Sequence, residues 1–153
     1  MEHHTEDKSY DESISMRGFR FTKQRREVYE ALMARRDHPT AIDVFTRVKE
    51  RMPSISLATV YNCLETLTEC GLVKHVNLDR ASSRYCPNLE DHGHFFCDGC
   101  GCVFDIPLKK DMSLEASLEV PRDTIVSHHE IALRGLCPAC ARRNPEFSAT
   151  ATE

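Results

Sequence analysis

Two pairs of cysteines are the residues of this sequence whose spacing points most directly to chemistry. Cys97 and Cys100 form one CxxC pair, and Cys137 and Cys140 form a second. Each pair sets two thiolates at the spacing that one metal ion accepts, and two such pairs are the pattern of a closed, tetrahedral zinc site. The sequence therefore predicts a structural zinc that closes the intervening chain into a loop. Cys63 and Cys70 are interpreted as small residues of a helical core rather than ligands, and Cys102 is expected to lie outside the zinc site, because it alternates away from Cys100.

A pair of histidines precedes the first cysteine pair. His92 and His94 alternate as on a strand, so both side chains face one side, as a pair of metal ligands requires. This predicts a second metal site. A rival interpretation is a hydrolase in which His92, His94 and Asp105 surround a catalytic zinc and Glu90 is the general base. Another is a structural zinc-ribbon adaptor, which explains the cysteine pairs alone.

The charge distribution divides the chain. Its 153 residues are enough for one ordinary domain or two small ones, and its net charge is −4. Arg17–Arg51 carry ten lysines and arginines against five acids, whereas Leu89–Glu119 carry two lysines against seven acids. A basic front and an acidic back indicate a polyanion-binding module joined to a second module.

The sequence also indicates a cellular compartment. No apolar run approaches a membrane span, and the acidic N-terminus is unlike a signal peptide. The paired cysteines favour metal-bound thiols over disulfides. We therefore expect a cytoplasmic protein without a membrane partner.

The first half of the sequence predicts capped helices. Residues 1–12 have little apolar content and are expected to be a disordered tail, followed by a short helix over Ser13–Phe19. Thr22 and Thr40 are predicted to cap the next two helices. Pro39 is expected to force an extended conformation on the residue before it.

A third helix is predicted to open at Ser56 and to end near Gly71. Its predicted buried stripe consists of Leu57, Val60, Tyr61, Leu64 and Leu67. Alternating residues then predict two strands, over 72–78 and 83–86. Three helices followed by a hairpin describe a winged helix, so we expect residues 13–86 to be a winged-helix DNA-binding domain.

In a winged helix, the third helix enters the major groove and its first turn meets the base edges. The residues predicted to contact bases are Ser56, Thr59, Tyr61 and Asn62. The residues predicted to neutralise phosphates are Arg20, Lys23, Arg25 and Arg80, the last in the turn of the wing. The alternative is a helical core with a solvated, charged surface.

The second half predicts an α+β domain over residues 87–143 that binds metal and dimerises. We expect a strand over Cys102–Ile106, a helix over Leu108–Leu118 and a long strand over Thr124–Leu133, with a disordered tail at 144–153. This half has few apolar residues for its size, so we expect it to pair with a copy of itself. A homodimer also suits a palindromic double-stranded DNA operator, because two recognition helices address two half-sites.

A winged helix followed by a histidine pair and two CxxC pairs resembles the ferric uptake regulator family. Its members are homodimeric, metal-dependent bacterial transcription regulators, usually repressors, so we do not expect an enzyme. The residues that carry the resemblance are His38-Pro-Thr-Ala, Ala58-Thr-Val-Tyr61, the histidine pair and both CxxC pairs. Within the family, the peroxide-sensing branch is the most similar at Asn62, at Ala81-Ser-Ser-Arg84 and at Ser127-His-His129. The resemblance covers Arg17–Arg142 and implies an N-terminal DNA-binding domain, a C-terminal dimerisation domain and a regulatory metal at the hinge.

The regulatory site of the peroxide-sensing branch has three histidines and two aspartates. The resemblance implies that the matching ligands in this sequence are His38, Cys86, His92, His94 and Asp105. Cys86 departs from the pattern, because it occupies the position of an aspartate. A site of nitrogen and oxygen ligands suits Fe(II) or Mn(II), whereas a thiolate favours Zn(II), as in the zinc-responsive branch of the family.

The predicted function is therefore a metal-dependent repressor that responds to peroxide. The alternative is a zinc-responsive uptake repressor, which Cys86 favours. A third interpretation is that Cys86 is itself redox-active, since a thiolate beside iron is easily oxidised.

Overall fold

The computed structural model describes residues 3–20, 22–77, 82–109, 117–127 and 129–144. The chain divides into two compact units, residues 1–89 and 90–153. This division lies three residues after the domain boundary expected at residue 86. Unit 1 and unit 2 denote these two parts below. Among the described helices, none is long and apolar enough to cross a membrane.

Unit 1 contains helices and a small antiparallel sheet in the predicted order. Its described elements are α1 (His3–Met16), α2 (Lys23–Ala34), α3 (Ala41–Arg51), α4 (Leu57–Glu69), β1 (Lys74–Val76) and β2 (Arg84–Cys86). The succession of α2, α3 and α4, followed by the β1–β2 hairpin, is the winged-helix arrangement expected from the sequence. This part of the fold prediction is confirmed.

The predicted helix caps are also confirmed. The side chain of Thr22 accepts a hydrogen bond from the backbone N–H of Arg25, and Thr40 forms a reciprocal capping box with Asp43. At the end of α4, Gly71 has a φ of +71° and its N–H bonds to the carbonyl of Thr68. This is the left-handed glycine stop that the sequence predicts.

The prediction of a disordered tail over residues 1–12 is wrong for the described part of this segment. Helix α1 begins at His3 and ends at Met16. The short helix predicted over Ser13–Phe19 is therefore the end of a longer helix that starts earlier and stops sooner. Tyr10 and Ile14 are 1% and 0% exposed, and the Tyr10 ring lies 4.8 Å from the Tyr29 ring, centroid to centroid. These two apolar side chains, one helical turn apart, bury enough surface to hold a helix of otherwise polar composition.

The predicted stripe of α4 is partly wrong. Leu57 and Tyr61 are 36% and 47% exposed, whereas the side chains that α4 buries are Val60, Cys63, Leu64, Thr66 and Leu67. The buried face is rotated by part of a turn towards Cys63, and Tyr61 lies beyond its edge. Cys63 and Cys70 are buried in the apolar core, as the sequence predicts.

Unit 2 contains a three-stranded sheet and a short helix. Its described elements are β3 (His92–Cys97), β4 (Val103–Pro107), β5 (Ala132–Gly135) and α5 (Pro138–Arg143). The strand order is β4-β3-β5, with β4 antiparallel and β5 parallel to β3. The predicted long strand over Thr124–Leu133 is wrong for the described residues before Ala132, because β5 begins at Ala132, where its ladder with β3 starts at the His94–Ala132 pair.

Several predictions fall on residues outside the described ranges. The predicted helix over Leu108–Leu118 lies mostly at 110–116, and the predicted tail lies mostly at 145–153. Arg80, in the predicted wing turn, and His128 are also outside the described part of the chain.

We expect replacement of Ile14 by alanine to destabilise unit 1. Removing a fully buried branched side chain leaves a cavity, and such changes lower the free energy of unfolding by about 2–5 kcal/mol. Urea denaturation followed by circular dichroism measures this change. Met16→Ala is the matched control, because Met16 is in the same helix but 86% exposed. Equal stability of the two variants would contradict the packing of α1 against the core.

Candidate metal centres and nucleic-acid interface

The four cysteines of the two CxxC pairs meet in unit 2. The sulfur atoms of Cys97, Cys100, Cys137 and Cys140 all lie within 4.8 Å of one another. The sulfurs of Cys100 and Cys137 are 3.8 Å apart, which matches the separation of about 3.8 Å between sulfurs that are each about 2.3 Å from a tetrahedral zinc. The cluster can therefore hold a structural zinc. Cys102 does not belong to this group of four.

Backbone geometry shapes the first knuckle. Gly101 has a φ of +70° and its N–H bonds to the carbonyl of Cys97. A Cβ atom on Gly99 would lie 2.9 Å from the sulfur of Cys140, so a side chain at this position would displace that cysteine. The sequence places glycine at the two positions where the turn and the approach of the second knuckle require it.

Hydrogen bonds within the cluster shift the pKa values of its thiols in opposite directions. The backbone N–H of Cys137 donates to the Cys97 sulfur at 3.2 Å and lowers the pKa of Cys97 to about 6. The Cys140 thiol hydrogen-bonds to the Cys137 side chain, which raises the pKa of Cys140 to about 12. Four thiolates this close repel one another, so the set becomes fully ionised only around a cation.

A second group of potential ligands lies on the antiparallel strands β3 and β4. His92 and His94 are two residues apart on β3, and Asp105 is paired directly with His94 across the sheet. The Nε2 atoms of the histidines are 3.0 Å apart, and they lie 3.3 and 3.7 Å from Oδ1 of Asp105. Ligands about 2.1 Å from one ion are separated by about 3.0 Å at right angles and 3.4 Å at tetrahedral angles, so these distances suit a shared divalent metal.

Neighbouring backbone fixes the orientation of this histidine pair. Nδ1 of His92 bonds to the carbonyl oxygen of Glu90 at 2.6 Å, so the imidazole donates there and keeps the Nε2 lone pair for a metal. Gly93 faces the other side of β3, where a Cβ atom would lie 3.0 Å from the Ile131 side chain. The Ile131 carbonyl also accepts the N–H of His94. Glycine between the histidines therefore permits the close approach of the chain that precedes β5.

The remaining two predicted ligands are together in unit 1. His38 and Cys86 are 2% and 1% exposed, and their potential ligand atoms lie within 4.8 Å of each other. His38 has a φ of +53°, so the prediction that Pro39 forces an extended conformation on it is wrong. A left-handed backbone at a residue other than glycine costs about 1–3 kcal/mol and persists only where other contacts enforce it.

The predicted base-contacting residues lie at the start of α4. Ser56 caps this helix: its hydroxyl accepts the N–H of Thr59 at 3.1 Å and lies 2.8 Å from the Thr59 hydroxyl. Tyr61 and Asn62 are exposed. This first turn presents small hydroxyl groups, a phenol and an amide, which together can read base edges.

The basic residues predicted to contact phosphates differ in their surroundings. Arg20 and Lys23 are exposed. Arg25 is half-buried: it donates a hydrogen bond to the carbonyl of Arg20 and lies over the Phe19 ring, 5.5 Å from its centroid. Arg25 therefore organises the start of α2, in addition to the phosphate contact predicted from the sequence.

Sequence reasoning missed one residue near the ligands of unit 1. Arg84 donates a hydrogen bond from Nη1 to the carbonyl oxygen of His38 at 2.9 Å. The two residues are 46 positions apart, and no spacing rule connects them. The only sequence signal for this contact was the predicted hairpin, because a hairpin returns its second strand, which carries Arg84, towards the helices.

Comparisons with known proteins agree with this arrangement. The family model described as "Ferric uptake regulator family" matches residues 16–134. The peroxide operon regulator of Bacillus subtilis (strain 168) is 34% identical over 132 residues, which cover 86% of this chain and 91% of that protein. The Campylobacter jejuni peroxide stress regulator is 28% identical with a TM-score of 0.62, covering 92% of this chain and 100% of that chain. The Helicobacter pylori ferric uptake regulator Fur has a TM-score of 0.74 at 19% identity, covering 87% and 89%, and shows the fold.

A winged-helix unit followed by an α+β unit whose four cysteines can hold a metal fits the class of metal-binding transcriptional regulators. The chain belongs to the ferric uptake regulator family. It is a transcriptional regulator, and its family consists of regulators rather than enzymes.

We expect Cys97→Ser to remove the structural zinc. Loss of a residue that hydrogen-bonds to a metal ligand commonly weakens metal binding by about 10–100-fold. Loss of a ligand itself should therefore weaken zinc binding by more than about 100-fold. Zinc content after gel filtration, measured by inductively coupled plasma mass spectrometry, tests this. Cys102→Ser is the control and should retain zinc. A Cys97→Ser protein with its full zinc content would contradict the assignment.

Proposed function

We propose that this regulator is a DNA-binding repressor that senses peroxide through a divalent metal held by both units. The observation that carries the proposal is the convergence of His92, His94 and Asp105 at coordination distances, in a chain related to a peroxide operon regulator. His38 and Cys86 complete the proposed site from unit 1. The four cysteines of unit 2 hold a structural zinc that does not take part in sensing.

The chemistry of sensing follows from the ligands. Fe(II) held by these ligands would activate hydrogen peroxide next to the imidazoles, and the imidazole that is oxidised, rather than the iron, would supply the two electrons of the net reaction. His38 or His92 gains one oxygen atom on a ring carbon, while the second peroxide oxygen leaves as water. The added oxygen changes the ring that binds the metal, so the modified ligand no longer supports the same coordination geometry.

The proposed site couples metal binding to DNA binding. Its ligands come from the DNA-binding unit at His38 and Cys86, and from the second unit at His92, His94 and Asp105. An ion bound by all five ligands restrains the two units relative to each other. If the metal-bound dimer holds its two winged helices at the spacing of the operator half-sites, metal binding favours DNA binding, and DNA binding favours metal binding equally.

The dimer is proposed from the surface of unit 2. Its described residues bury few apolar side chains, and several large ones are exposed: Leu118, Val120, Ile125, Val126 and Leu133. Ile125 is 92% exposed. Exposed apolar surface of this kind is usually covered by a partner, and a second copy of the chain also supplies the second recognition helix for a palindromic operator.

The DNA contacts are proposed at the residues predicted from the sequence. Those for bases are Ser56, Thr59, Tyr61 and Asn62. Those for phosphates are Arg20, Lys23, Arg25 and Arg80. The exposed first turn of α4 supports the first group.

A second candidate function is a zinc-responsive uptake repressor. It is favoured by the buried thiol of Cys86, since a thiolate among imidazoles and a carboxylate selects Zn(II) over Fe(II) and Mn(II). In that case occupancy follows the concentration of free zinc, and peroxide has no direct role at the histidines.

The two functions are separated by one experiment on anaerobically purified protein. We expect the Fe(II)-loaded and Mn(II)-loaded proteins to bind a palindromic operator tightly, and brief exposure to peroxide to release only the Fe(II)-loaded one. Mass spectrometry should then show one added oxygen on His38 or His92. Release without any mass change at these histidines would refute histidine oxidation. Operator binding with Zn(II) alone would support the zinc-responsive alternative.

Replacement of Cys86 by aspartate tests the basis of metal selection. We expect Cys86→Asp to shift the ratio of Zn(II) to Mn(II) affinity towards Mn(II) by about tenfold or more, because a hard carboxylate replaces a soft thiolate. Competition with a chromogenic chelator measures both affinities. Cys63→Ser is the matched control, since Cys63 is a buried cysteine of the helical core. An unchanged ratio would remove the argument from ligand softness.

A further inference from the structure

The segment that carries His38 is held in an unfavourable conformation. His38 has a φ of +53° and directly precedes Pro39, and both features exclude most of the backbone conformations that a residue with a Cβ atom prefers. Its side chain is buried beside Cys86. This conformation directs the imidazole of His38 towards the thiol, so contacts that enforce it also determine the ligand geometry of unit 1.

Arg84 and Tyr85 of strand β2 supply such contacts. Arg84 donates from its guanidinium to the carbonyl oxygen of His38 at 2.9 Å. The N–H of Tyr85 donates to the carbonyl of Pro39 at 3.0 Å, and Arg84 also forms an antiparallel bridge with Thr40. The last residue of this strand is Cys86. The same three-residue strand thus carries one ligand and holds the backbone of the other.

We propose that Arg84 is a positioning residue of the regulatory metal site, whose guanidinium holds the His38 carbonyl and thereby the left-handed backbone that presents the His38 imidazole to the Cys86 thiol. This inference rests on the proposed function, since it concerns the same metal site. Arg84 does not contact the metal in this proposal. It acts through His38.

Other contacts hold the flanks of the segment to α3. Asp37 forms a two-point ion pair with Arg47, at 3.0 and 2.7 Å, and Thr40 shares its capping box with Asp43. The Asp37–Arg47 pair is on the surface, where ion pairs contribute little to stability. The Arg84 bond differs because it is made to the backbone of His38 itself.

Loss of the Arg84 guanidinium should let His38 relax. Without the donor, the residue before Pro39 can return to the extended region that proline favours there. The imidazole then turns away from Cys86, and the metal loses the preorganised pair of ligands. Changes of residues that orient a ligand typically weaken metal binding 10–100-fold.

The test uses full-length protein that retains its structural zinc, with Co(II) alone as the probe of the regulatory site under anaerobic conditions. We expect Arg84→Gln to bind Co(II) about 10–100-fold more weakly than wild type. The thiolate-to-cobalt charge-transfer absorption at saturation should also fall, because Cys86 and His38 no longer bind together. The structural zinc content should not change. A purely structural role for Arg84 predicts lower thermal stability with an unchanged cobalt spectrum.

Two further variants make the test specific. Arg47→Gln removes the surface pair with Asp37 and should bind Co(II) within about twofold of wild type. Arg84→Lys keeps the charge but not the rigid guanidinium fork, so its affinity should lie between those of wild type and Arg84→Gln. If Arg84→Gln does not fold, Arg84→Lys decides: an affinity at least about threefold below wild type supports the proposal, and wild-type affinity overturns it.

The outcomes separate this inference from the proposed function. If His92→Ala weakens Co(II) binding strongly but Arg84→Gln binds as well as wild type, the positioning role is wrong and the metal site stands. If neither His92→Ala nor Cys86→Ser changes Co(II) binding, the proposed metal site itself is wrong. Equal losses in Arg84→Gln and Arg47→Gln would overturn the specific role of Arg84.

Discussion

The contact on which unit 2 depends is the meeting of its two cysteine knuckles. The backbone N–H of Cys137 reaches the sulfur of Cys97 across 40 positions of sequence, and the side chain of Cys140 occupies the space that glycine leaves at position 99. Apart from two of these cysteines, Val103 is the one large apolar side chain that the described part of unit 2 buries. With so small an apolar core, a bound metal can contribute more to stability than hydrophobic burial does.

The same contact also orders the histidine pair. Cys97 is the last residue of β3, and His92 and His94 are on the same strand. The pairing of β3 with β4 sets the register that places Asp105 opposite His94. A zinc at the four cysteines would therefore fix one end of the strand whose other end presents the ligands of the second site. The structural and regulatory roles are assigned to separate clusters, but one strand connects them.

Unit 1 is stabilised in a different way. Its helices pack an apolar core that includes Tyr10 and Ile14 of α1, and each of α2, α3 and α4 begins with a side-chain cap. His38 lies between two of these helices, at the point where the chain leaves α2. The burial of His38 and its contact with Arg84 of β2 can hold this histidine in a conformation that an isolated peptide would avoid.

The sequence by itself determined the features whose physical basis is local. Thr22, Thr40 and Ser56 cap helices because a hydroxyl can reach an N–H three residues away, and the CxxC and HxH spacings place ligands together within one knuckle or on one face of a strand. The tertiary structure alone decided where distant segments meet. It buries Tyr10 and Ile14 in a segment that is polar in composition, and it begins the ladder between β3 and β5 only at the His94–Ala132 pair. It also brings Arg84 to the carbonyl of His38 and Asp105 opposite His94. These contacts depend on packing and strand register between segments far apart in the chain, for which no pattern of neighbouring residues carries information.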